Sequence, residues 1–400
     1  MPVSPSRRRK VVSAALLGLV IIFFGCGRRS DDVERITENG VEVVVNRLAP
    51  YEISGEPTDL RLDEEFSIDT EDDETVRRGV ADIRAFDVDS GGNIYVFQER
   101  ENDRNLVYKF DTNGHFVAPY GTRGPGPGEV QSPIFMNLTA QDEIPIQDYS
   151  GRPKLLIFNP DGGAVKEIHP DVGQAGLLTP VMSPLSNGNY LRFQDFPDLV
   201  GDKHRYDILD LVGPKFEKIR ELGRCDYGLL SRFAQKVKGT PRIFIVELRG
   251  ERIYLGDEGR GYEISVFDLD GKLIRKIKKE YNPAPASEEF KDIVRQNFEL
   301  SKDKLVIPDL MPPFHYFFLD DDRRLYVKTY ERGRKPQEYW HDVFDSEGVF
   351  IARASLPGHG SWMYPGRDLN RAKARANRFY CLREKESGFV ELVVYQMTWK

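Results

Sequence analysis

The sequence predicts an all-β protein, a six-bladed β-propeller of four-stranded blades, chiefly because one turn motif recurs along the chain. In this motif an apolar strand ends in Phe-Asp-x-x-Gly or a close variant, and a second strand follows. The aromatic or leucine position of the motif is occupied by Phe110, Phe158, Leu209, Phe267, Phe344 and Tyr395, the last without its turn. The intervals of 48, 51, 58, 77 and 51 residues are typical of small sheets that bury their faces against neighbouring sheets. No interval is twice the shortest, so we predict six blades.

The composition also favours many strands joined by many turns. The 400 residues include 35 glycines and 25 prolines, and aromatic residues make up 11%. Glycine and proline are typical of turns, whereas aromatic residues are enriched in strands. Hydrophobic residues make up 40%, which is enough for a sizeable core and excludes both a disordered chain and a disulfide-stapled miniprotein.

A second strand precedes most copies of the motif and completes the blade pattern. These strands are predicted at Asn93–Phe97, Asn189–Phe193, Arg252–Leu255, Arg324–Val327 and Arg378–Cys381. Strand-like segments such as Ala81–Val88 and Phe314–Leu319 lie further upstream, and we assign them to the innermost position. Each blade therefore has four predicted strands.

The last copy stops after its third strand, so its blade needs an outer strand from elsewhere. Val41–Asn46 stands alone near the N-terminus with strand composition and no motif of its own. We predict that it completes the last blade, which would tie the two ends of the chain together and remove an exposed sheet edge.

The interval of 77 residues holds a predicted helical insertion at about residues 284–302. Phe290, Ile293, Val294 and Phe298 recur at the spacing of one helix face. The insertion is interpreted as a lid or side element packed on the propeller, with a surface for a partner or ligand as the alternative.

The N-terminus has the pattern of an export signal. Arg7, Arg8, Arg9 and Lys10 precede an uncharged stretch at residues 11–25, which is short for a membrane-spanning helix. We divide the chain into a signal peptide at 1–25, a polar tether at 26–40 and the propeller at 41–400. An ordinary cleaved signal and an uncleaved membrane anchor remain alternatives.

The end of this stretch, Phe23-Phe24-Gly25-Cys26, resembles a bacterial lipobox. The resemblance implies that Cys26 becomes the first mature residue and carries a membrane lipid. The protein would then be exported and anchored to a bacterial membrane, facing the periplasm or the cell surface.

Residues 41–400 resemble the NHL-type six-bladed β-propellers found in bacterial lipoproteins. Asp89–Val96, the Phe-Asp-x-x-Gly turns and Gly121–Glu129 carry this resemblance. It implies the fold but not one activity, because such propellers include binding proteins, sensor modules, lyases and hydrolases.

The charge balance argues against nucleic acid as a partner. The formal net charge is -7, and it becomes -11 without the first 25 residues, which hold four of the basic side chains and no acidic ones. Such a chain has no general attraction for phosphate backbones. Of the three cysteines, Cys225 and Cys381 remain to form either a disulfide or two buried free thiols.

The candidate site residues are few. Gly121–Glu129 lacks the Gly-Lys-Ser/Thr of a phosphate loop, so we interpret it as a crossover between blades whose Arg123 and Glu129 can border a binding face. The six histidines show no zinc spacing, and His315, beside Tyr316, is the best placed to face the central channel. No cofactor is expected, although Ca²⁺ or another divalent metal at Asp320-Asp321-Asp322 is an alternative to ordinary turn chemistry.

These observations favour a monomeric, lipid-anchored module that binds or scaffolds a protein or small ligand at a membrane surface. The predicted ligand site lies at one end of the central channel. The alternative is a metal-dependent propeller lyase or lactone hydrolase with its site in the same channel.

Overall fold

The architecture is a ring of six sheets, each with its innermost strand against the axis. The computed structural model describes residues 33–98, 104–135, 137–150, 154–162, 166–170, 181–230, 233–239, 241, 243–297, 303–358 and 372–400. The predicted signal peptide and Cys26 lie outside these residues. The prediction of an all-β propeller with six blades of four core strands is confirmed.

The strands follow the chain order around the ring. The N-terminal strands are β1 (Glu34–Glu38), β2 (Val41–Asn46) and β3 (Leu60–Asp69). Blade one contains β4 (Ala85–Val88), β5 (Ile94–Phe97), β6 (Asn105–Phe110), β7 (Phe116–Arg123) and the short β8 (Glu129–Val130). Blade two contains β9 (Pro133–Phe135), β10 (Ile144–Asp148), β11 (Lys154–Phe158) and β12 (Lys166–Ile168).

Blade three contains β13 (Val181–Pro184), β14 (Tyr190–Pro197), β15 (His204–Val212) and β16 (Lys218–Leu229). After β17 (Val237–Lys238), blade four contains β18 (Phe244–Arg249), β19 (Arg252–Asp257), β20 (Glu263–Phe267) and β21 (Leu273–Lys279). After β22 (Leu305–Val306), blade five contains β23 (Tyr316–Leu319), β24 (Leu325–Arg332), β25 (Glu338–Phe344) and β26 (Phe350–Pro357). Blade six contains β27 (Lys373–Arg375), β28 (Arg378–Glu384), β29 (Val390–Trp399) and β3.

The strand order gives the propeller two distinct ends. The four core strands of each blade are antiparallel to their neighbours, and in five of the six blades they run in chain order from the innermost strand to the outermost. Connections between second and third strands therefore lie at the same end as the crossovers to the next blade, which we call the crossover end. Turns between first and second strands, and between third and fourth, lie at the opposite end, which we call the turn end.

In blades one, two, four and five the recurring Phe-Asp-x-x-Gly motif forms the turn between the third and fourth strands, whereas in blade three Leu209 and Asp210 lie inside β15 and the turn begins at Gly213. In blade one, Asp111 Oδ1 accepts hydrogen bonds from the backbone N–H groups of Asn113 (2.8 Å) and His115 (2.9 Å). Gly114 has φ +83°, a conformation that favours glycine, and a Cβ at this position would lie 2.7 Å from the ring of Phe66 on β3. The motif therefore shapes the turn and packs it against the outer strand of the preceding blade.

The predicted closing strand is corrected by the strand pairing. Val41–Asn46 does not complete blade six; β3 does, pairing antiparallel with β29 from Leu60 opposite Trp399 to Asp69 opposite Glu391. Ion pairs to β28, from Arg383 to Glu64 and from Arg378 to Glu65, hold it in place. An N-terminal strand closes the ring as predicted, but it begins 19 residues later in the sequence than expected.

The N-terminal hairpin instead extends blade four. Strand β2 pairs parallel with β21, and β1 pairs antiparallel with β2. Strand β21 is rich in basic residues, and Glu38 bonds to Lys276 (3.0 Å) and Lys278 (2.9 Å). Electrostatic attraction thus docks an acidic hairpin on a basic strand. Residues 34–38, which the sequence assigns to the tether, form β1.

Two helices lie on crossovers. Helix α1 (Asp73–Arg77) begins at its capping residue Asp72, and helix α2 (Glu288–Asn297) falls inside the predicted insertion. Phe290 and Val294 of α2 are fully buried against Tyr330 of blade five, so the insertion packs on the propeller. Phe298 lies outside the described residues. No helix of the described residues is both long and apolar enough to cross a membrane.

The two remaining cysteines are buried free thiols. Cys225 lies on β16 of blade three and Cys381 on β28 of blade six. The sequence leaves open whether these cysteines form a disulfide or remain free, and in the structure both are free. Burial raises the pKa of each thiol to about 12.

Candidate functional site

A groove with a volume of about 920 Å³ lies between blades five and six. Its lining includes the connection between β24 and β25, the end of β26 at Gly358, the end of β28 and the first half of β3. The connections belong to the crossover end. Two other cavities are much smaller, at about 260 and 230 Å³. The groove therefore lies beside the central axis rather than on it.

Charged side chains of both signs line the groove, and many are paired across it. Basic residues are Arg61, Arg332, Arg334, Lys335, Arg383 and Lys385, and acidic residues are Asp59, Glu64, Glu289, Glu338, Glu384 and Glu386. Arg332 contacts Glu289 of α2 at 2.8 Å, and Arg334 reaches Asp59 at 3.5 Å. A surface of this kind offers hydrogen-bond donors and acceptors to a polar ligand that carries both charges.

A buried lysine lies beneath one wall of the groove. Lys328, on β24, is only 4% exposed, and its Nζ lies 4.2 Å from the ring centroid of Tyr339 and 5.1 Å from that of Tyr316. A side chain at Gly358 would come within 2.9 Å of this Nζ. The glycine thus keeps the groove wall thin above the lysine.

His341 pairs with Lys328 across the sheet and is fully buried. Burial lowers its pKa to about 3, and the nearby Lys328 charge acts in the same direction. The neutral ring therefore donates from Nδ1 to the Tyr339 carbonyl at 2.9 Å. Sequence reasoning had no signal for His341, because only the sheet register brings it beside Lys328.

The two predicted channel residues, His315 and Tyr316, lie in the core of blade five. They are 2% and 1% exposed. The His315 ring lies 5.4 Å from the rings of both Tyr316 and Tyr330. Tyr316 also contacts Lys328, as described above, so it belongs to the aromatic floor beneath the groove.

Arg123 and Glu129 lie together on the crossover from blade one to blade two. Arg123 Nη1 donates to the Gln131 carbonyl at 3.0 Å, and Glu129 Oε2 accepts from the Gly126 N–H at 3.0 Å. Both side chains thus brace the glycine-rich turn on which they stand. They are not close to His315, which belongs to blade five.

Buried charges also connect the innermost strands around the axis. Lys373 of β27 lies 3.6 Å from Asp87 of β4 and donates to Asn137 at 3.1 Å. At the turn end, Arg249 of β18 lies 3.5 Å from Asp321 and donates to the Leu319 carbonyl at 3.0 Å. Burial lowers the pKa of this arginine, and a neighbouring arginine adds to the effect. These contacts tie neighbouring blades together.

The three aspartates considered for a divalent metal take part in protein contacts. Asp320 Oδ2 accepts from the Tyr326 hydroxyl at 2.9 Å, and Asp322 pairs with Arg324 at 2.8 Å. Asp321 accepts from the Ala376 N–H at 2.7 Å. The described part of the chain contains no group of three or more His, Cys, Asp or Glu side chains placed to hold a metal ion.

Fold and site together define a six-bladed β-propeller with a charged groove between two blades. No protein-family model matches the sequence, and no curated protein matches it either. Solved structures with a similar fold include the S511A mutant of a puromycin hydrolase complexed with PGG, which is 13% identical with a TM-score of 0.39. That match covers 76% of this chain and 42% of the hydrolase.

Two further solved structures are similar at the same level. A putative gluconolactonase is 10% identical with a TM-score of 0.38. That match covers 87% of this chain and 94% of the gluconolactonase. A puromycin-hydrolysing peptidase from Mycobacterium tuberculosis is 12% identical with a TM-score of 0.37. That match covers 90% of this chain and 46% of the peptidase. The chain thus spans less than half the length of both puromycin-hydrolysing proteins. These similarities assign no activity, and the propeller architecture itself serves binding and enzymatic roles alike.

Proposed function

We propose that this protein is an exported, lipid-anchored binding module whose groove between blades five and six holds a polypeptide segment with charges of both signs. The observation that carries the proposal is the groove itself, whose walls present unlike charges at close spacing and include connecting segments of the crossover end. Propellers use such connecting segments for recognition because the sheets hold them rigidly in place.

A charged polypeptide fits the groove better than an apolar small molecule does. Arg334 and Asp59 are each 59% exposed at the side chain, and Lys335 is 80% exposed, so water already solvates them. A partner with opposite charges can replace that water with charge-assisted hydrogen bonds. Tyr339 and Tyr395 add aromatic surface to the lining.

The anchoring part of the proposal rests on the sequence around Cys26. The lipobox-like Phe23-Phe24-Gly25-Cys26 follows a basic and apolar leader, as in the NHL-type lipoprotein propellers that the chain resembles. A lipid on Cys26 would hold the propeller at a membrane surface. Mass spectrometry of the N-terminal peptide tests this directly, since it reads the added mass on the cysteine.

Site-specific photo-crosslinking in producing cells tests the groove. A photoreactive amino acid replaces Lys335 in the groove, and the control carries it at Lys215, an exposed residue at the turn end of blade three. We expect a discrete protein adduct from position 335 only, and we expect Arg334→Glu, a charge reversal at an exposed groove residue, to abolish it. Equal adducts at both positions, or none at 335, contradict the groove as the binding site.

A metal analysis addresses the enzymatic alternative in the same preparation. We expect less than stoichiometric Zn, Ca, Mn or Fe in the purified full-length chain. One tightly bound metal per chain, together with turnover of a sugar lactone, would overturn the proposal and favour the hydrolase.

A further inference from the structure

Exposed apolar side chains concentrate at the crossover end of the propeller. Among the described residues, nine of the twelve large apolar side chains that are exposed lie on or beside connections of this end. They are Leu48, Val76, Val200, Leu229, Phe233, Tyr281, Val306, Leu310 and Phe389. The turn end holds only Val117 and Ile219 from the same set. Single exposed apolar residues are ordinary, but their bias to one end is not.

Seven of the nine belong to consecutive blades. Val200 stands at the tip of the β14–β15 connection in blade three and is 90% exposed. Leu229 and Phe233 begin the crossover to blade four, and Tyr281, Val306 and Leu310 lie on the crossover to blade five. Leu48 lines the same small cavity as Tyr281. Strand β17 of the first crossover pairs with β22 of the second, so the two crossovers form one surface. We call these seven residues the apolar rim.

Val200 stands on a turn that is closed by hydrogen bonds with the side chains of Asp198 and Lys203. Asp198 Oδ1 accepts from the Val200 N–H at 3.1 Å, and Lys203 Nζ donates to the Leu199 and Val200 carbonyls at 2.6 and 2.8 Å. The turn is thus closed by its own polar groups, and the valine side chain remains outside. Such a residue is free to enter an apolar phase without breaking a protein contact.

The predicted lipid attaches at the same side of the molecule. Glu34 begins β1 opposite Val45, next to the end of β2 that pairs with Lys279, where the crossover to blade five begins. Eight residue steps separate Cys26 from Glu34. A fully extended chain covers at most about 3.5 Å per residue, so the lipid attaches within about 28 Å of this edge of blade four.

We infer that the apolar rim of blades three to five lies against the lipid surface to which Cys26 anchors the chain. This inference rests on the proposed lipid anchor. The short connection brings the rim to the bilayer, and burial of its side chains at the headgroup boundary is favourable because it removes apolar area from water. The groove between blades five and six also reaches the crossover end, but its walls are charged and it includes none of the seven residues of the apolar rim.

Depth-dependent quenching on full-length lipidated protein tests the inference. The protein is reconstituted in vesicles of phosphatidylethanolamine and phosphatidylglycerol, and an environment-sensitive fluorophore is attached at Val200→Cys. Val117→Cys is the matched control, a valine with comparable chemistry, 51% exposed, at the turn end. Cys225 and Cys381 do not compete for the label, since both are buried with a pKa raised to about 12.

We expect emission at position 200 to shift to the blue on vesicles and to fall about twofold when doxyl-labelled lipids are included, since the probe enters the headgroup boundary. The probe at position 117 should not respond. Lipidated, vesicle-bound protein whose probe at 200 is unquenched, or whose two probes are quenched equally, overturns the inference and leaves the anchor intact. A blue shift at 200 without lipid quenching also overturns it, in favour of a protein partner on the rim. An unmodified Cys26 in the mass spectrum contradicts the proposed lipid anchor, and it therefore also contradicts the proposed contact of the apolar rim with the bilayer.

Discussion

Glu64 and Arg383 form a two-point ion pair between strands that the sequence separates by 319 residues. Arg383 Nη1 and Nη2 donate to the two oxygens of Glu64 at 2.9 and 3.1 Å, and Arg383 Nε donates to Glu391 at 2.7 Å. Arg383 lies on β28 and Glu64 on β3, so this network joins the N-terminal strand of blade six to its C-terminal strands. The two ends of the propeller chain meet here.

Glu64→Ala should weaken that closure. We expect the free energy of unfolding to fall by about 1 kcal/mol, since the pair is bidentate and part of a network yet still partly exposed. Urea unfolding at neutral pH measures the change. Asp63→Ala is the control, because among the described residues the Asp63 side chain pairs with Arg61, two residues away on the same strand, and with no other strand of the blade. An equal loss in both variants would show that the cross-strand network adds nothing to closure.

Gly114→Ala should destabilise the protein by more than Gly188→Ala does. Both glycines have nearly the same positive φ, +83° and +84°, so the backbone strain of the two changes is matched. Only at Gly114 does the new methyl meet another blade, at 2.7 Å from the Phe66 ring, while nothing lies within 4 Å at Gly188. We expect an additional loss of about 1–3 kcal/mol, the usual cost of overpacking.

The comparison in urea unfolding isolates packing of the turn on the preceding blade. A double variant, Gly114→Ala with Phe66→Leu, removes the ring and should recover part of the loss. Equal effects of the two alanine changes would mean that the turn does not lock neighbouring blades together.

His341 should make the protein less stable as the pH falls below its unfolded pKa of 6.5. Burial holds the folded pKa at about 3, so between these values the unfolded chain binds a proton that the folded chain does not. Stability is then full above pH 6.5 and declines towards pH 3, by up to about 1.4 kcal/mol per pH unit from this group.

Urea unfolding at several pH values checks this slope. His341→Gln keeps a neutral donor for the Tyr339 carbonyl, and it should flatten the pH dependence between pH 6.5 and 4. A slope that survives in His341→Gln would contradict a neutral buried histidine in the folded state.

Cys225 and Cys381 should resist thiol reagents until the protein unfolds. Burial raises both pKa values to about 12, so the reactive thiolate is scarce at pH 8 and the sulfur atoms are shielded. Maleimide labelling read by peptide mass spectrometry should find neither site modified in buffer and both modified in concentrated urea. The unfolding midpoint should be the same with and without a reductant; a shift would reveal a disulfide.

The sequence by itself determined the turn structure within a blade and the number of blades. An Asp side chain that caps the turn and a glycine at positive φ act over a few residues, so Asp111 and Gly114 specify their turn wherever the blade sits. The recurrence of this turn gave the blade count, and the spacing of Phe290 and Val294 located the helix. These features are local, which is why a single sequence reveals them.

Only the tertiary structure decided which strand closes the ring and where the groove lies. Val41–Asn46 and Leu60–Asp69 both have strand character, and the choice between them depends on partners more than 200 residues away: Arg275 for the first, Arg383 for the second. The groove likewise combines side chains of blade five, blade six and β3. Long-range electrostatics and blade packing select these contacts, and no pattern within one segment records them.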